Sequence, residues 1–230
     1  MKASRTFVAG VLTIGESPRA DGLGAEVAEV SGLEVIERGV LDGLTRDEVS
    51  ALGARPGCEL LVSQLADGTP VRLDRDALLD RLQRGIARLE QDGVGATLLL
   101  CTGEFPAFAH SRPLLVPSAA LRGAVHGLAG DGRVASMLPV VEQSEQARSS
   151  WRSQGVNDPV LLVADPYGID AEAEVERQGR NAVRLGAEVL FLDCFGYTLR
   201  MGGLARAAFG GPTLLARSLA ARLLAEVAGA

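Results

Sequence analysis

Short apolar runs alternate along the chain with longer segments in which apolar residues recur at helical spacing. A short continuous apolar run predicts a buried strand, and helical spacing of apolar residues predicts a helix with one face in the core. The predicted strands are 7–14, 96–101, 133–140, 159–164 and the run that ends at Cys194. The predicted helices are 74–92, 142–154, 169–185 and the larger part of 213–228, which opens with a short strand.

The first part of the chain also carries weaker signals. Residues 33–37 alternate apolar and acidic positions, as a half-exposed strand does. Thr45 and Glu48 have the spacing of a capping box, which predicts the start of a short helix. The runs 59–64 and 70–73 predict a β-hairpin or an edge ribbon.

The order of these elements predicts an α/β fold. Strands and helices alternate without a long structureless insert, which is typical of parallel sheets flanked by helices. The order helix, glycine, strand, cysteine occurs twice, so we expect two similar, Rossmann-like halves that face a shared cleft. The first half is 1–117, completed by 212–230, and the second half is 118–211.

Cys101 and Cys194 each stand at the end of a predicted strand and are followed closely by glycine. In an open parallel sheet, ligands bind beyond the carboxyl ends of the strands, so a thiol there faces the crevice. The N-terminus of a following helix would stabilise a thiolate. A single cysteine is more often a small buried hydrophobe, but the repeated context favours two thiols that face each other.

The turn after the first strand contains Ser17 and Arg19, which are candidates for holding an anion. The alternative, that Ser17 caps a helix and Arg19 is solvated, is equally compatible with the sequence. In the last helix, we expect Arg217 and Arg222 to be exposed.

Composition narrows the classes of function. The chain has 230 residues, of which 47% are hydrophobic and 23% charged, so a globular protein is expected and disorder is not. The net charge of −6 argues against nucleic acid or an anionic membrane as a partner. No run approaches the length of a membrane helix, and the apolar start lacks a cleavage site, so we expect a cytoplasmic protein with a small-molecule partner.

The sequence motifs indicate neither a metal nor a cofactor. The three cysteines are widely separated, and the two histidines have no paired ligand at helical spacing. No nucleotide-binding glycine loop and no nucleophile elbow occur. Two thiols could instead invert a carbon acid, because one removes a proton from one face while the other returns a proton to the opposite face. A hydrolytic pair of Cys101 with His110 stays open, although it leaves Cys194 without a role.

Several segments together carry a resemblance to a known family. They are Leu12 to Gly15 with Pro18-Arg19, the run LLLCTG that contains Cys101, Pro139-Val140, and Leu192 to Gly196. In this order they resemble the AroM family of bacterial proteins over nearly the whole chain. That family is similar to the aspartate/glutamate/hydantoin racemase superfamily, which includes amino-acid racemases, maleate isomerases and arylmalonate decarboxylases.

The resemblance implies an Asp/Glu racemase-like fold and cofactor-independent proton transfer by two cysteines, one in each half. Cys101 and Cys194 match these cysteines, and Thr102 matches the small polar residue that holds a substrate carboxylate. The remaining substrate-binding candidates are Ser17, Arg19, Gly103, Gly196 and Thr198. The sequence departs from the racemases at Phe195, where a threonine is usual, and at Asp193, whose charge would disfavour a thiolate nearby.

Three functional hypotheses follow. The first is a racemase or isomerase that acts on a small carboxylate such as an amino acid. The second is a non-catalytic regulator that binds a small molecule, and the third is a decarboxylase or isomerase in which one cysteine acts. The alanine-rich last helix is suited to helix packing, so a homodimer is an expectation.

Overall fold

The computed structural model describes residues 7–230, which divide into two compact units. The first unit comprises the chain through Pro117 together with Ala220–Ala230, and the second comprises Ser118–Leu219. Residues 1–6, which the sequence analysis included in the first half, lie outside the described residues.

The first unit contains a sheet, a hairpin and three helices of its own. Its elements are β1 (Val8–Thr13), α1 (Leu23–Ser31), β2 (Glu34–Gly39), α2 (Arg46–Ala51), β3 (Leu60–Gln64), β4 (Pro70–Asp74), α3 (Arg75–Gln91), β5 (Ala96–Leu100) and β6 (Leu114–Leu115). The sheet has the strand order β2-β1-β5-β6, and every neighbouring pair is parallel. Strands β3 and β4 form a separate antiparallel hairpin, as predicted.

The second unit contains another four-stranded sheet. Its elements are α4 (Ser118–Ala129), β7 (Val134–Leu138), a 3-10 turn (Val141–Gln143), α5 (Ser144–Ser153), β8 (Val160–Val163), α6 (Ala171–Arg184), β9 (Val189–Leu192), α7 (Leu199–Phe209) and β10 (Thr213–Leu215). Helix α8 (Ala216–Ala228) begins in this unit and continues in the first. The strand order is β10-β9-β7-β8, again parallel throughout. Two parallel sheets with helices confirm the predicted α/β fold class.

The helical pattern of 74–92 forms α3, whose apolar face is buried in the core of the first unit. Leu78, Leu82, Ile86 and Leu89 are fully buried, and burial of each such side chain contributes roughly 1.5–3 kcal/mol. Gly85 faces the sheet, because a β-carbon there would lie 2.8 Å from Leu12 Cδ1. The helix begins after Asp74, whose carboxylate accepts from the Asp76 backbone N–H. The predicted capping box of Thr45 and Glu48 is likewise present at α2.

Three helices were not predicted from the sequence: α1, α4 and α7. The end of the chain also differs from the expectation that 212–230 completes the first half. Strand β10 pairs with β9, so residues 213–215 lie in the second sheet, and the first unit takes up the chain from Ala220. The physical reason is that β10 completes an edge of the second parallel sheet before the chain turns into α8.

Candidate functional site

Cys101 lies directly after β5, the fully buried strand beside β1 in the first sheet. Its side chain is half-buried. The backbone N–H of Gly103 donates a hydrogen bond of 3.3 Å to Cys101 Sγ. A β-carbon on Gly103 would lie 3.4 Å from that sulfur and 3.0 Å from Leu61 Cδ2, so glycine keeps the turn close to the thiol. Thr102, between the two residues, is half-buried.

Cys194 occupies the equivalent position in the second sheet. It follows β9 by two residues and is buried, with 8% of its surface exposed. The backbone N–H of Gly196 donates a hydrogen bond of 3.3 Å to Cys194 Sγ. A β-carbon on Gly196 would lie 2.7 Å from Pro166 Cγ and 2.7 Å from Tyr167 Oη, so a larger residue there requires one of these side chains to shift.

The two thiols therefore share a local structure, which we call the thiol turns: Cys101-Thr102-Gly103 and Cys194-Phe195-Gly196. In each, a backbone N–H two residues after the cysteine points at the sulfur. A hydrogen-bond donor aimed at sulfur stabilises negative charge there. The sequence analysis noticed the glycines but assigned this hydrogen bond to neither of them. The signal that identifies it is the repeated spacing C-x-G at a strand end.

The carboxylate of Asp193, the residue before Cys194, belongs to a buried cluster of polar side chains. The residue is 3% exposed, and its Oδ2 accepts from Ser136 Oγ at 3.2 Å and from Arg122 Nη2 at 3.4 Å. The Arg122 guanidinium also lies 6.0 Å from the centre of the Trp151 ring. A buried charge is tolerated when a counter-charge and hydrogen bonds accompany it. Asp193 has both, so its negative charge is compensated within the second unit.

Arg217 is fully buried, and the expectation that it is exposed was wrong. Its Nε and Nη2 donate to the Phe195 carbonyl oxygen at 3.1 and 2.6 Å. The reason is positional: β10 lies beside β9, so the first turn of α8 comes next to the turn that follows β9. Arg217 thus holds the backbone of the second thiol turn. The other arginine, Arg222, is exposed as expected.

Tyr197 also anchors the second thiol turn. Its side chain is fully buried, and its hydroxyl donates to the Ala164 carbonyl oxygen at 2.6 Å. Burial raises the pKa of Tyr197 well above its ordinary value, and electrostatic interaction with the neighbouring Cys194 and Asp193 raises it further. The phenol therefore stays protonated and acts as a donor, which ties the residue after Gly196 to the end of β8.

Thr198 caps the helix that follows the second thiol turn. Its Oγ1 accepts from the Met201 backbone N–H at 3.2 Å, so it is the N-cap of α7. Because the hydroxyl oxygen is the acceptor in this bond, its proton is available for a ligand. A role of Thr198 in substrate binding stays a prediction.

Ser17 and Arg19, the candidates in the first turn, both have partners inside the first unit. The backbone N–H and the hydroxyl of Ser17 each donate to the Asp42 carboxylate at 2.7 Å. Arg19 is 5% exposed; its Nε and Nη2 donate to the Asp21 carboxylate at 3.1 and 2.8 Å, and its Nη1 donates to Ser63 Oγ at 3.0 Å. Both residues shape this turn, and their contact with a substrate stays a prediction.

The model of one protein family, described as AroM protein, matches residues 9–228. The chain belongs to the AroM family. This result confirms the resemblance seen in the sequence, and the match extends through both thiol turns. No curated protein matches the chain significantly.

Solved structures of three enzymes have the same fold as this AroM-family chain. The aspartate racemase of Picrophilus torridus has a TM-score of 0.64 at 13% identity, covering 97% of this chain and 95% of that one. Unliganded arylmalonate decarboxylase has a TM-score of 0.59 at 16% identity, covering 97% and 94%. The glutamate racemase of Bacillus anthracis has a TM-score of 0.55 at 14% identity, covering 97% and 82%. The Asp/Glu racemase-like fold is thus confirmed.

The described part of the chain contains neither a cluster of metal ligands nor a membrane-spanning helix. Among residues 7–230, no three histidine, cysteine, aspartate or glutamate side chains are grouped so that they could hold a metal ion. Within the same residues, none of the helices combines the length and the apolar character needed to cross a membrane.

Proposed function

We propose that the protein is a cofactor-independent racemase or isomerase that transfers protons at a carbon atom next to the carboxylate of a small molecule. The observation that carries the proposal is the pair of thiol turns. In each sheet, one strand is followed within two residues by a cysteine whose sulfur accepts a hydrogen bond from a glycine N–H. A fold shared with racemases and a decarboxylase supports the same class of chemistry.

In the proposed reaction, the thiolate of one cysteine removes the proton from the carbon, and the bonding electrons pass into the adjacent carboxylate. The thiol of the other cysteine then donates its proton to the opposite face of the carbon. One thiolate and one thiol are present before and after the reaction, with their roles exchanged. General acid–base transfer of this kind contributes roughly 10²–10⁴-fold to a rate. The glycine N–H donors at Cys101 and Cys194 stabilise whichever sulfur is ionised.

The substrate carboxylate is proposed to bind to hydroxyl and backbone N–H donors near the two turns. Thr102 and Thr198 supply hydroxyl groups, and the backbone of Gly103 and Gly196 shapes the space beside each sulfur. Ser17 belongs to this set if its hydroxyl exchanges Asp42 for the substrate. The buried Arg19 contributes by fixing the Ser17 turn through Asp21 and Ser63.

The chemistry also sets conditions for the protein in the cell. Two thiols that act as acid and base must stay reduced, which favours a cytoplasmic location. All three cysteines are thiols in the structure.

A homodimer is part of the proposal, and the molar mass in solution, measured by light scattering, tests it.

A single-cysteine reaction is the second candidate, and one observation favours it. The two cysteines differ in burial: Cys194 is 8% exposed, whereas Cys101 is half-buried. An enzyme that decarboxylates or isomerises needs one proton donor or one nucleophile. If one thiol acts alone, the substitution of the other leaves most of the activity.

The test is proton exchange in D₂O, followed by NMR with amino acids, hydantoins and small dicarboxylates. We expect deuterium at the carbon next to the carboxylate of one class, with a loss of at least ~10²-fold in Cys101→Ala and in Cys194→Ala. Cys58→Ala is the matched control, because Cys58 is half-buried but lies before β3 and outside both turns. Exchange lost in only one variant indicates the single-cysteine reaction. Ligand binding without exchange in the native protein would refute catalysis and indicate a regulator.

A further inference from the structure

A pocket with four arginines lies in the first unit, between the segment that ends β2 and one face of α3. Its cavity has a volume of about 160 Å³. Arg38, Gly39, Val40 and Asp42 form one wall, and Arg81, Arg84, Gly85 and Arg88 form the other. The cavity therefore has room for one compact ligand group.

Helical geometry brings three of these arginines to one side of α3. Residues three, four and seven apart lie on the same face of a helix, and Arg81, Arg84 and Arg88 have this spacing. Gly85 lies between them, where the helix approaches the sheet. Arg38 comes from the edge strand β2 on the opposite wall. Four arginines from two different elements thus line one pocket.

Two of the four arginines are fixed by the protein itself. Arg81 is half-buried and donates from Nε to the Val40 carbonyl oxygen at 2.7 Å. Arg38 donates from Nε to Asp92 Oδ2 at 2.6 Å. Arg81 bonds neutral carbonyl groups, so its positive charge is not cancelled by its partner. A guanidinium held in place loses little entropy when it binds a ligand.

The other two arginines have no counter-charge at ion-pair distance. Arg84 and Arg88 are exposed, and neither forms an ion pair within 4 Å among residues 7–230. Two carboxylates lie at the pocket: Asp42 in its wall, which accepts from the Ser17 hydroxyl and the Gly39 N–H, and Asp92, the partner of Arg38. They carry two negative charges against the four positive charges of the arginines. The pocket therefore keeps an excess of positive charge.

We propose that this arginine pocket binds a phosphate group, either as inorganic phosphate or as part of a phosphorylated small molecule. Guanidinium groups match phosphate oxygens in pairs, and several arginines around one site favour a dianion over a single carboxylate. The chain as a whole carries a net charge of −6, so the local excess of positive charge at this pocket is opposite in sign to the net charge of the protein. A confined, concave site is suited to a small anion, whereas nucleic acid requires an extended basic surface.

The test measures binding of orthophosphate, pyrophosphate and glycerol 3-phosphate by calorimetry at constant ionic strength. We expect saturable binding to the native protein and a loss of affinity of at least ~10-fold in the double variant Arg84→Gln, Arg88→Gln. Equal affinity for all three probes identifies one phosphate group as the recognised unit. Tighter binding of pyrophosphate identifies a diphosphate, and tighter binding of glycerol 3-phosphate identifies a phosphate ester.

The matched control is the double variant Arg152→Gln, Arg222→Gln. It changes the net charge by the same amount at two exposed arginines outside the pocket. We expect its affinities to stay within twofold of the native values. All four substituted side chains are exposed, so thermal unfolding should show both variants folded. An equal loss in both variants, or the absence of saturable binding to the native protein, overturns the proposal.

Discussion

Replacement of Gly196 by alanine is expected to destabilise the protein and disturb the second thiol turn. The added β-carbon would lie 2.7 Å from Pro166 Cγ and from Tyr167 Oη, whereas unstrained carbon contacts lie at about 3.5–4.0 Å. Overpacking of this kind costs roughly 1–3 kcal/mol. For a chain of this size, a loss of about 2 kcal/mol lowers the unfolding temperature by about 4–8 °C.

Two further glycines provide a graded comparison. Gly103→Ala places a β-carbon 3.0 Å from Leu61 Cδ2, the flexible end of a side chain that can move aside. We expect its cost to be smaller than that of Gly196→Ala. Gly203 is exposed in α7, and a β-carbon there meets nothing within 4 Å. Gly203→Ala should therefore stabilise the protein by about 0.5–1 kcal/mol.

The assay combines thermal unfolding with the rate at which a thiol reagent modifies Cys194. It uses a background in which Cys58 and Cys101 are alanine, so that one sulfur is observed. Displacement of Gly196 opens the turn at Cys194, which is now 8% exposed, so a thiol reagent gains access to the sulfur. We expect faster modification in Gly196→Ala and an unchanged rate in Gly203→Ala. Native stability and reactivity in Gly196→Ala would refute the reasoning.

Two other experiments test the hydrogen bonds of Arg217 in the second unit and the pKa of Asp67 in the first. Arg217→Met removes both donors from the buried Phe195 carbonyl and should lower the free energy of unfolding in urea by about 1–3 kcal/mol. The control Arg222→Met changes an exposed arginine and should lower it by less than about 0.5 kcal/mol. Equal losses would contradict the role of Arg217. The Thr69 backbone N–H is the first cause that lowers the pKa of Asp67 to about 2. Because the folded pKa lies below the unfolded value of ~3.9, the stabilisation by Asp67 is complete above that value and lost as the pH falls through about 2. An NMR titration midpoint near 4 would contradict this assignment.

The elements that the sequence predicted well are those with a strong local pattern. Helix α3 repeats its apolar residues at helical spacing, and β5 is a continuous apolar run, so neither needs distant contacts to be recognised. Helix α7 was missed because Gly202 and Gly203 disfavour a helix. Packing explains the first of them: a β-carbon on Gly202 would lie 3.0 Å from Leu215 Cδ2, so glycine lets α7 approach β10. A tertiary contact overrides the local preference there.

The same distinction applies to the candidate site. Cys101 and Cys194 were recognisable because a strand end and a following glycine are local features. Arg217 was not, because its position depends on the pairing of β10 with β9, which joins segments that are distant in the chain. The partners of Asp193 depend on a similar long-range contact, since Ser136 and Arg122 come from β7 and α4.

The interrupted first unit has a consequence for the order of events during synthesis. Residues 220–230 belong to the first unit but emerge from the ribosome after all of the second, which is continuous in the chain. Ala220, Ala221 and Leu224 are fully buried in the finished protein. At about 5–20 residues per second, roughly 100 residues of the second unit delay them by about 5–20 s. The second unit can therefore complete its fold while the first, although translated earlier, still waits for its closing helix.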